Sequence, residues 1–277
     1  MAVMNWHPMR AGDLLDAAFR GYRRFWGPSL AAYGCFCLPS ALVSAGASAL
    51  AQDARAPFIV RVDLLLLALA LTLLSALPLA LAEIVCARAV LNAARGEPAT
   101  AGAVFARLRG HWWRLFTVAL AKDFLIGLGL MACLVPGIVL AVNYAVAVPA
   151  AMDENLCAGE ALRRSRALIT ISSSRGKTLL LLVLLSLMGY VVSLAMNAAM
   201  AGASAITSGF VNLSPAVLFT GPAGLWQNAL AEAADRLFIP LGGLLWAYYF
   251  LDLKARREGA DLVITLDGSA GGAGVGL

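Results

Sequence analysis

Three ionisable residues lie inside long apolar stretches of the chain, where a charge is unusual. Glu83 lies near the end of one stretch, and Lys122 and Asp123 are adjacent near the start of the next. Ionisable groups are costly inside a bilayer and often mark a proton or substrate path. Counted from the neighbouring arginines, Glu83 and Lys122 lie at matching depths, so a structural ion pair is the simpler interpretation. Both interpretations stay open on the sequence alone.

The sequence has few of the residues that enzymatic catalysis needs. The two histidines, His7 and His111, have no Ser, Cys or carboxylate nearby at the spacing of a nucleophilic or zinc site. Neither a P-loop nor a dinucleotide-binding glycine motif occurs in the sequence. We therefore expect no enzyme activity and no catalytic, cofactor-binding or metal-binding residue.

The composition is that of a membrane protein. Of 277 residues, 61% are hydrophobic and 13% are charged, and the mean hydropathy is +0.81. A soluble domain has roughly 45–50% apolar and about 25% charged residues, so soluble enzymes and disordered chains are excluded as classes. The formal net charge of +5 does not indicate nucleic acid, because the basic residues cluster beside apolar stretches.

Six transmembrane helices are predicted from the lengths of these stretches, since one crossing needs about 20 apolar residues. One stretch, residues 115–152, is long enough for two helices, and we expect a turn at Pro136-Gly137 in its middle. A breaker-rich segment, residues 207–222, divides another stretch in the same way. The uncharged or nearly uncharged stretches are residues 26–51, 64–86, 115–152, 178–231 and 237–251.

The basic residues predict the orientation of the chain. Seventeen of the 21 lysines and arginines fall on one predicted side, three fall on the other, and Lys122 falls inside a span. Because cytoplasmic loops carry the excess of Lys and Arg, we expect both termini in the cytoplasm.

Three short amphipathic helices, each followed by a helical hairpin, are predicted on the basic side, which gives a threefold repeat. We expect a glycine at each bend into the membrane, in the tripeptides that begin at Arg20, Arg109 and Arg175. The apolar faces are Leu15, Phe19, Tyr22 and Trp26 in the first helix, Phe105, Leu108, Trp112 and Leu115 in the second, after a Thr100 cap, and Ala158, Ala161, Leu162, Ser165 and Leu168 in the third.

Arginines on these helices are candidate contacts for anionic lipid headgroups, because a basic helix at a membrane surface attracts anionic lipid. The alternative is that they fix the topology and bind nothing specific. The candidates are Arg20, Arg23, Arg24, Arg107, Arg109, Arg163, Arg164 and Arg166.

Small residues recur every four positions in the fifth span and predict a helix-packing ridge. Its partner is either another helix of the chain or a second copy in a homo-oligomer. The ridge consists of Gly189, Ser193, Asn197, Ala201 and Ala205.

Three stretches together resemble the membrane domain attached to some bacterial glycerophosphoryl diester phosphodiesterases, and related uncharacterised inner-membrane proteins. They are residues 9–16 with 22–25, residues 148–150 with 160–165, and Tyr248-Tyr249-Phe250 continuing through residue 262. The resemblance implies a six-helix, repeat-built inner-membrane domain and no catalytic residue. We expect no phosphodiesterase activity, because that enzyme is a separate soluble barrel.

The sequence therefore predicts an all-α polytopic domain over residues 1–262 and a Gly-rich cytoplasmic tail over residues 263–277. We expect a non-enzymatic accessory or scaffold protein of the bacterial inner membrane, associated with lipid or envelope processes. The alternative is a small transporter or channel whose path is lined by Glu83, Lys122 and Asp123.

Overall fold

The computed structural model describes residues 9–51, 58–171, 174–207, 229–230, 232–233 and 236–258. Within this part of the chain the regular elements are helices and no strand occurs. The predicted 207–222 breaker segment falls almost wholly outside these residues, as does the predicted tail. The helices are α1 (Ala11–Arg24), α2 (Trp26–Ala32), α3 (Leu38–Ala51), α4 (Phe58–Ala94), α5 (Ala101–Leu108), α6 (Trp112–Ala132), α7 (Leu134–Tyr144), α8 (Ala147–Glu154), α9 (Ala158–Ile171), α10 (Arg175–Thr207) and α11 (Ile239–Glu258).

Five helical segments of the described chain are long and apolar enough to cross a membrane. The predicted all-α class is therefore confirmed, whereas the sixth span stays a prediction. Two of the five segments are built from consecutive helices: a π-helical stretch, Tyr33–Cys37, joins α2 to α3, and a short turn joins α7 to α8. The five are Trp26–Gly46, Leu77–Ala94, Trp112–Ala132, Leu134–Glu154 and Arg175–Ala199.

The chain divides into two compact units. Unit 1 takes its residues from 1–28, 84–182 and 241–277, and unit 2 from 29–83 and 183–240. Helices α4 and α10 each contribute to both. At about 1.5 Å per residue, the 37 residues of α4 extend for about 55 Å, well beyond the roughly 30 Å of a bilayer's hydrocarbon core.

Most of the buried apolar side chains of the described chain lie in unit 1. Residues 84–91 of α4 and 147–152 of α8 are buried throughout, and most of α11 from residue 240 to 253 is buried with them. From α1, Leu14 and Ala18 are fully buried. Short helices and the ends of long ones therefore share one apolar core.

The turn between α6 and α7 lies three residues before the predicted Pro136-Gly137 position. Cys133 has an extended backbone and ends α6, and Pro136 lies in the first turn of α7. A proline is tolerated there because the first backbone N–H groups of a helix have no intrahelical acceptor. Gly137 lets the two helices approach closely, since an added Cβ would lie 2.7 Å from the backbone nitrogen of Leu130.

The glycines of the predicted bends have three different environments. Gly110 does lie in the turn between α5 and α6, but Gly21 lies within α1 and Gly176 within α10. Gly21 is buried, and a Cβ there would lie 2.8 Å from Cε2 of Tyr248. Its small size therefore serves helix packing and not a bend, so the prediction is wrong for Gly21, whereas Gly176 lies in the first turn of α10, directly after the turn at Ser174.

Unit 2 has a buried arginine of its own. Arg236 is 6% exposed and lies 3.0 Å from Glu232, and it also donates a hydrogen bond to Ser40. Tyr33, in the π-helical stretch, donates to the carbonyl of Ala233 at 2.7 Å. Arg236 is one of the three basic residues that the sequence places on the side opposite the 17, and in the fold it is an internal ion-pair partner.

Candidate functional site

Helix α1 carries two apolar stripes, and the predicted stripe is the outward one. The stripe that packs against unit 1 contains Leu14, Ala18 and Gly21. Phe19 is 44% exposed and Trp26, at the start of α2, is 57% exposed. An exposed aromatic stripe beside arginines is the arrangement of a helix that lies in a membrane surface.

The arginines of α1 extend from the protein. Arg20, Arg23 and Arg24 are all exposed, and the guanidinium of Arg24 lies 5.7 Å from the ring centroid of Phe25. The charges of α1 complement the helix dipole, because Asp13 lies in the first turn and basic residues lie in the last. The arginine-rich C-terminal end of α1 therefore lies next to the exposed aromatic stripe.

Helix α9 presents a similar surface with fewer free charges. Ala161, Ser165 and Leu168 are buried, as the predicted face requires, and Arg163 and Arg166 are exposed. Arg164 instead forms a bidentate pair with Glu154, with Nε and Nη2 at 2.7–2.9 Å from the carboxylate oxygens. Its Nε and Nη2 are thus engaged within the protein, and a lipid contact of Arg164 stays a prediction.

Helix α5 provides the third surface. Val104 and Leu108 are buried, Arg107 and Arg109 are exposed, and Thr100 stands at the N-cap without a capping hydrogen bond from its side chain. Arg107 Nη1 lies 2.7 Å from Glu97, close enough for an ion pair. Of the two candidate lipid contacts here, Arg109 therefore lacks an ion-pair partner among the described residues.

A buried carboxylate that the sequence analysis did not single out holds three parts of unit 1 together. Asp252 on α11 is 2% exposed and lies 2.8 Å from Lys177 of α10 and 3.1 Å from Arg256. It also accepts the backbone N–H of Met9 at 3.0 Å. Lys177 and Arg256, counted above only as topology signals, are thus structural.

Asp153, near the end of α8, is a second carboxylate that joins basic residues from separate parts of unit 1. It lies 2.6 Å from Arg95, just beyond α4, and accepts a hydrogen bond from Lys254 of α11. The sequence signal for either carboxylate is only an acidic residue at the end of an apolar helix. Partners 58, 75 and 101 residues away cannot be chosen from that signal.

A hydroxyl pair adds to the junction of α10 and α11. Thr178 and Tyr249 lie 2.7 Å apart through their oxygens, and both are buried. The two hydroxyl oxygens lie 2.9 and 3.2 Å from the Ser174 carbonyl oxygen, so one hydroxyl donates to the other and the second donates to this carbonyl. The start of α10 is therefore fixed by neutral bonds as well as by the Asp252 ion pairs.

The three ionisable residues of the spans are distributed between the two units. Lys122 is 7% exposed and lies in unit 1, with its Nζ 3.6 Å from Oδ1 of the exposed Asp123. Glu83 is half-buried and belongs to unit 2. The Glu83–Lys122 ion pair therefore stays a prediction.

The predicted ridge lies on α10, whose membrane-length segment is largely exposed. No described residue lies within 4 Å of a Cβ added at Gly189. In the described part of the chain, Asn197 donates within its own helix, to the Ser193 carbonyl at 2.8 Å. The side chains of Ala201 and Ala205 lie outside the described part of the chain.

Comparison with known proteins identifies no related protein. The chain matches no family model, no curated protein and no solved structure. Among the described residues, no three potential metal ligands cluster.

Proposed function

We propose that this chain is a multi-pass protein of the bacterial inner membrane that holds anionic lipid at its basic surface without enzymatic chemistry. The proposal keeps the six-span, threefold-repeat architecture and the resemblance to the phosphodiesterase-associated membrane domain. The observation that supports it most is the exposed aromatic stripe of α1 beside the exposed Arg20, Arg23 and Arg24. A scaffold or accessory role in lipid or envelope processes follows from such a surface.

The orientation can be tested by labelling single cysteines with an impermeant thiol reagent in intact cells, after replacement of the native cysteines. Ser174 is buried and is a poor reporter, whereas Gly176 is exposed with open space around its Cβ. Gly176→Cys should be shielded, and Gln52→Cys should react. Labelling of position 176 from outside would contradict the proposed orientation.

The lipid-binding role can be tested on α9, where paired and unpaired arginines are neighbours. Arg163→Gln with Arg166→Gln should reduce the anionic lipid that is retained by the purified protein in native mass spectrometry, since each cation near a membrane surface contributes roughly 1 kcal/mol. Thr170→Gln, an exposed change on the same helix, is the control. Unchanged lipid selectivity in the double variant would leave these arginines as topology signals.

A transporter or channel is the second candidate, favoured by the buried Lys122 within a membrane-length helix. It predicts water around Lys122, Asp123 and Glu83. Cysteines introduced beside Lys122 should then react with a soluble thiol reagent from the aqueous side, and a dry, paired cluster should protect them.

A further inference from the structure

Unit 1 contains a cavity of about 190 Å³ that is lined mainly by cationic and polar side chains. One water molecule needs roughly 10–15 Å³ of such space, so the cavity can hold a considerably larger group. Its charged and polar lining consists of Arg88, Arg95, Arg107, His111, Arg114 and Asn155.

Three helix ends bring these residues together. Arg88 and Arg95 are seven residues apart on one face at the end of α4, where Gly96, with φ +72°, closes the helix. Hydrogen bonds from Gly96 N–H to Ala93 and from Glu97 N–H to Asn92 complete this C-terminal motif. The α4 arginines are therefore held at a fixed turn.

The opposite wall comes from the start of α6 and the end of α8. Arg114 donates from Nη1 to the Asn155 carbonyl at 3.1 Å and from Nη2 to its side-chain oxygen at 2.8 Å. Asn155 has φ +56°, a left-handed conformation that Asn tolerates better than most residues. Because His111 and Arg107 are exposed, the cavity can be reached from outside.

Positive charge around the cavity exceeds negative charge. Asp153 is shared by Arg95 and Lys254, and Glu97 lies next to Arg107. Within the described chain, Arg88 and Arg114 have no carboxylate partner. Four arginines thus line the cavity, and two of them, Arg95 and Arg107, have a carboxylate partner.

Two buried guanidinium nitrogens lack acceptors. Arg88 is 8% exposed, and its Nε, like Nε of Arg114, is buried with no hydrogen-bond partner in the described part of the chain. An unsatisfied buried donor is unfavourable, more so when it is charged. Arg88 lines the cavity and has no ion-pair partner among the described residues, so an anion in the cavity would supply acceptors for its terminal guanidinium nitrogens.

We propose that this cavity binds a phosphate group, either of a lipid headgroup or of a soluble phosphate compound. Arginine forks match phosphate oxygens bidentately, and arginines that converge from α4, α5 and α6 suit a tetrahedral dianion better than a planar carboxylate. The choice of a lipid as one source rests on the proposed function; the phosphate site itself does not.

The test measures binding of inorganic phosphate to the full chain in a neutral detergent, by titration calorimetry. Arg88→Gln should weaken binding roughly tenfold or more, because it removes a charged hydrogen bond from an arginine that has no ion-pair partner among the described residues. Arg175→Gln is the matched control: it removes one exposed arginine outside the cavity and should leave the affinity unchanged. Arg88→Lys keeps the charge without the fork and should give an intermediate loss.

A second arm identifies the source of the phosphate. The protein is placed in phosphatidylcholine nanodiscs with or without phosphatidic acid, and inorganic phosphate is used as competitor. Retained phosphatidic acid that phosphate displaces, with loss in Arg88→Gln, indicates a lipid headgroup. Phosphate binding without phosphatidic acid retention indicates a soluble compound.

The proposal would be overturned if the wild-type protein bound neither inorganic phosphate nor phosphatidic acid. Equal phosphate affinity in Arg88→Gln and Arg175→Gln would also overturn it. The Arg163→Gln, Arg166→Gln protein separates the two claims. If it binds inorganic phosphate normally while its lipid selectivity matches that of the wild type, the cavity stands and the role of the exposed arginines fails.

Discussion

The arginines of α1 and α9 and those at the ends of α4 and α6 have the same side chain but different surroundings. Arg20 and Arg163 are exposed on helices that carry an apolar face, whereas Arg88 is buried at a junction of three helix ends. An exposed arginine near a membrane gains from any anionic surface, and a buried arginine needs a specific acceptor. A count of basic residues thus predicts their side of the membrane but not their role.

Buried carboxylates explain much of the difference. Asp252 and Asp153 recruit cations from distant parts of the chain and so convert topology signals into internal ion pairs. Where no carboxylate is within reach, as for Arg88, the cation either faces a ligand or stays unsatisfied.

The largest effect is expected from Asp252→Ala. It would leave Lys177 and Arg256 without their shared carboxylate and Met9 without its acceptor, so we expect a loss of about 3–5 kcal/mol in the free energy of unfolding. Thermal unfolding of the detergent-solubilised protein measures it, with the exposed Asp16→Ala as control. Equal melting temperatures for both variants would show that the network contributes little.

A smaller loss of stability is expected from substitutions at Lys122, the cation inside a span, and at its predicted partner Glu83. If Lys122 pairs with Glu83, Glu83→Gln or Lys122→Met alone should cost about 3 kcal/mol or less, because snorkelling toward the interface softens the loss. The double variant should then be milder than the sum of the singles. Additive losses in thermal unfolding would show that the residues are not partners and would favour a water-filled path.

The smallest effect on stability is expected from substitutions of the adjacent residues Arg163 and Arg164, which should differ in their free energy of unfolding. Arg164→Gln breaks the bidentate contact with Glu154 and should destabilise the protein by about 1 kcal/mol, whereas Arg163→Gln should be neutral in the same unfolding assay. Reversal of this order would mean that exposure and pairing in α9 do not determine the roles of its arginines.

Hydropathy was sufficient to predict helices of spanning length, because composition and length are local properties. The α6–α7 turn was misplaced since Pro136 suits a helix start as well as a break. In α1 the spacing identified an apolar stripe but not which stripe packs inward, because Leu14, Ala18 and Gly21 are mostly small. The ion pairs of Asp252 and Asp153 depend on contacts that form only in the folded chain.

The most direct test of the two arginine environments is a crossed measurement on two variants. Retained anionic lipid and inorganic phosphate affinity are measured for Arg163→Gln with Arg166→Gln, and for Arg88→Gln. The account predicts that the α9 variant loses anionic-lipid selectivity and keeps phosphate binding, while Arg88→Gln loses phosphate binding. Parallel losses of both properties in both variants would contradict it, because the arginines would then act only through total charge.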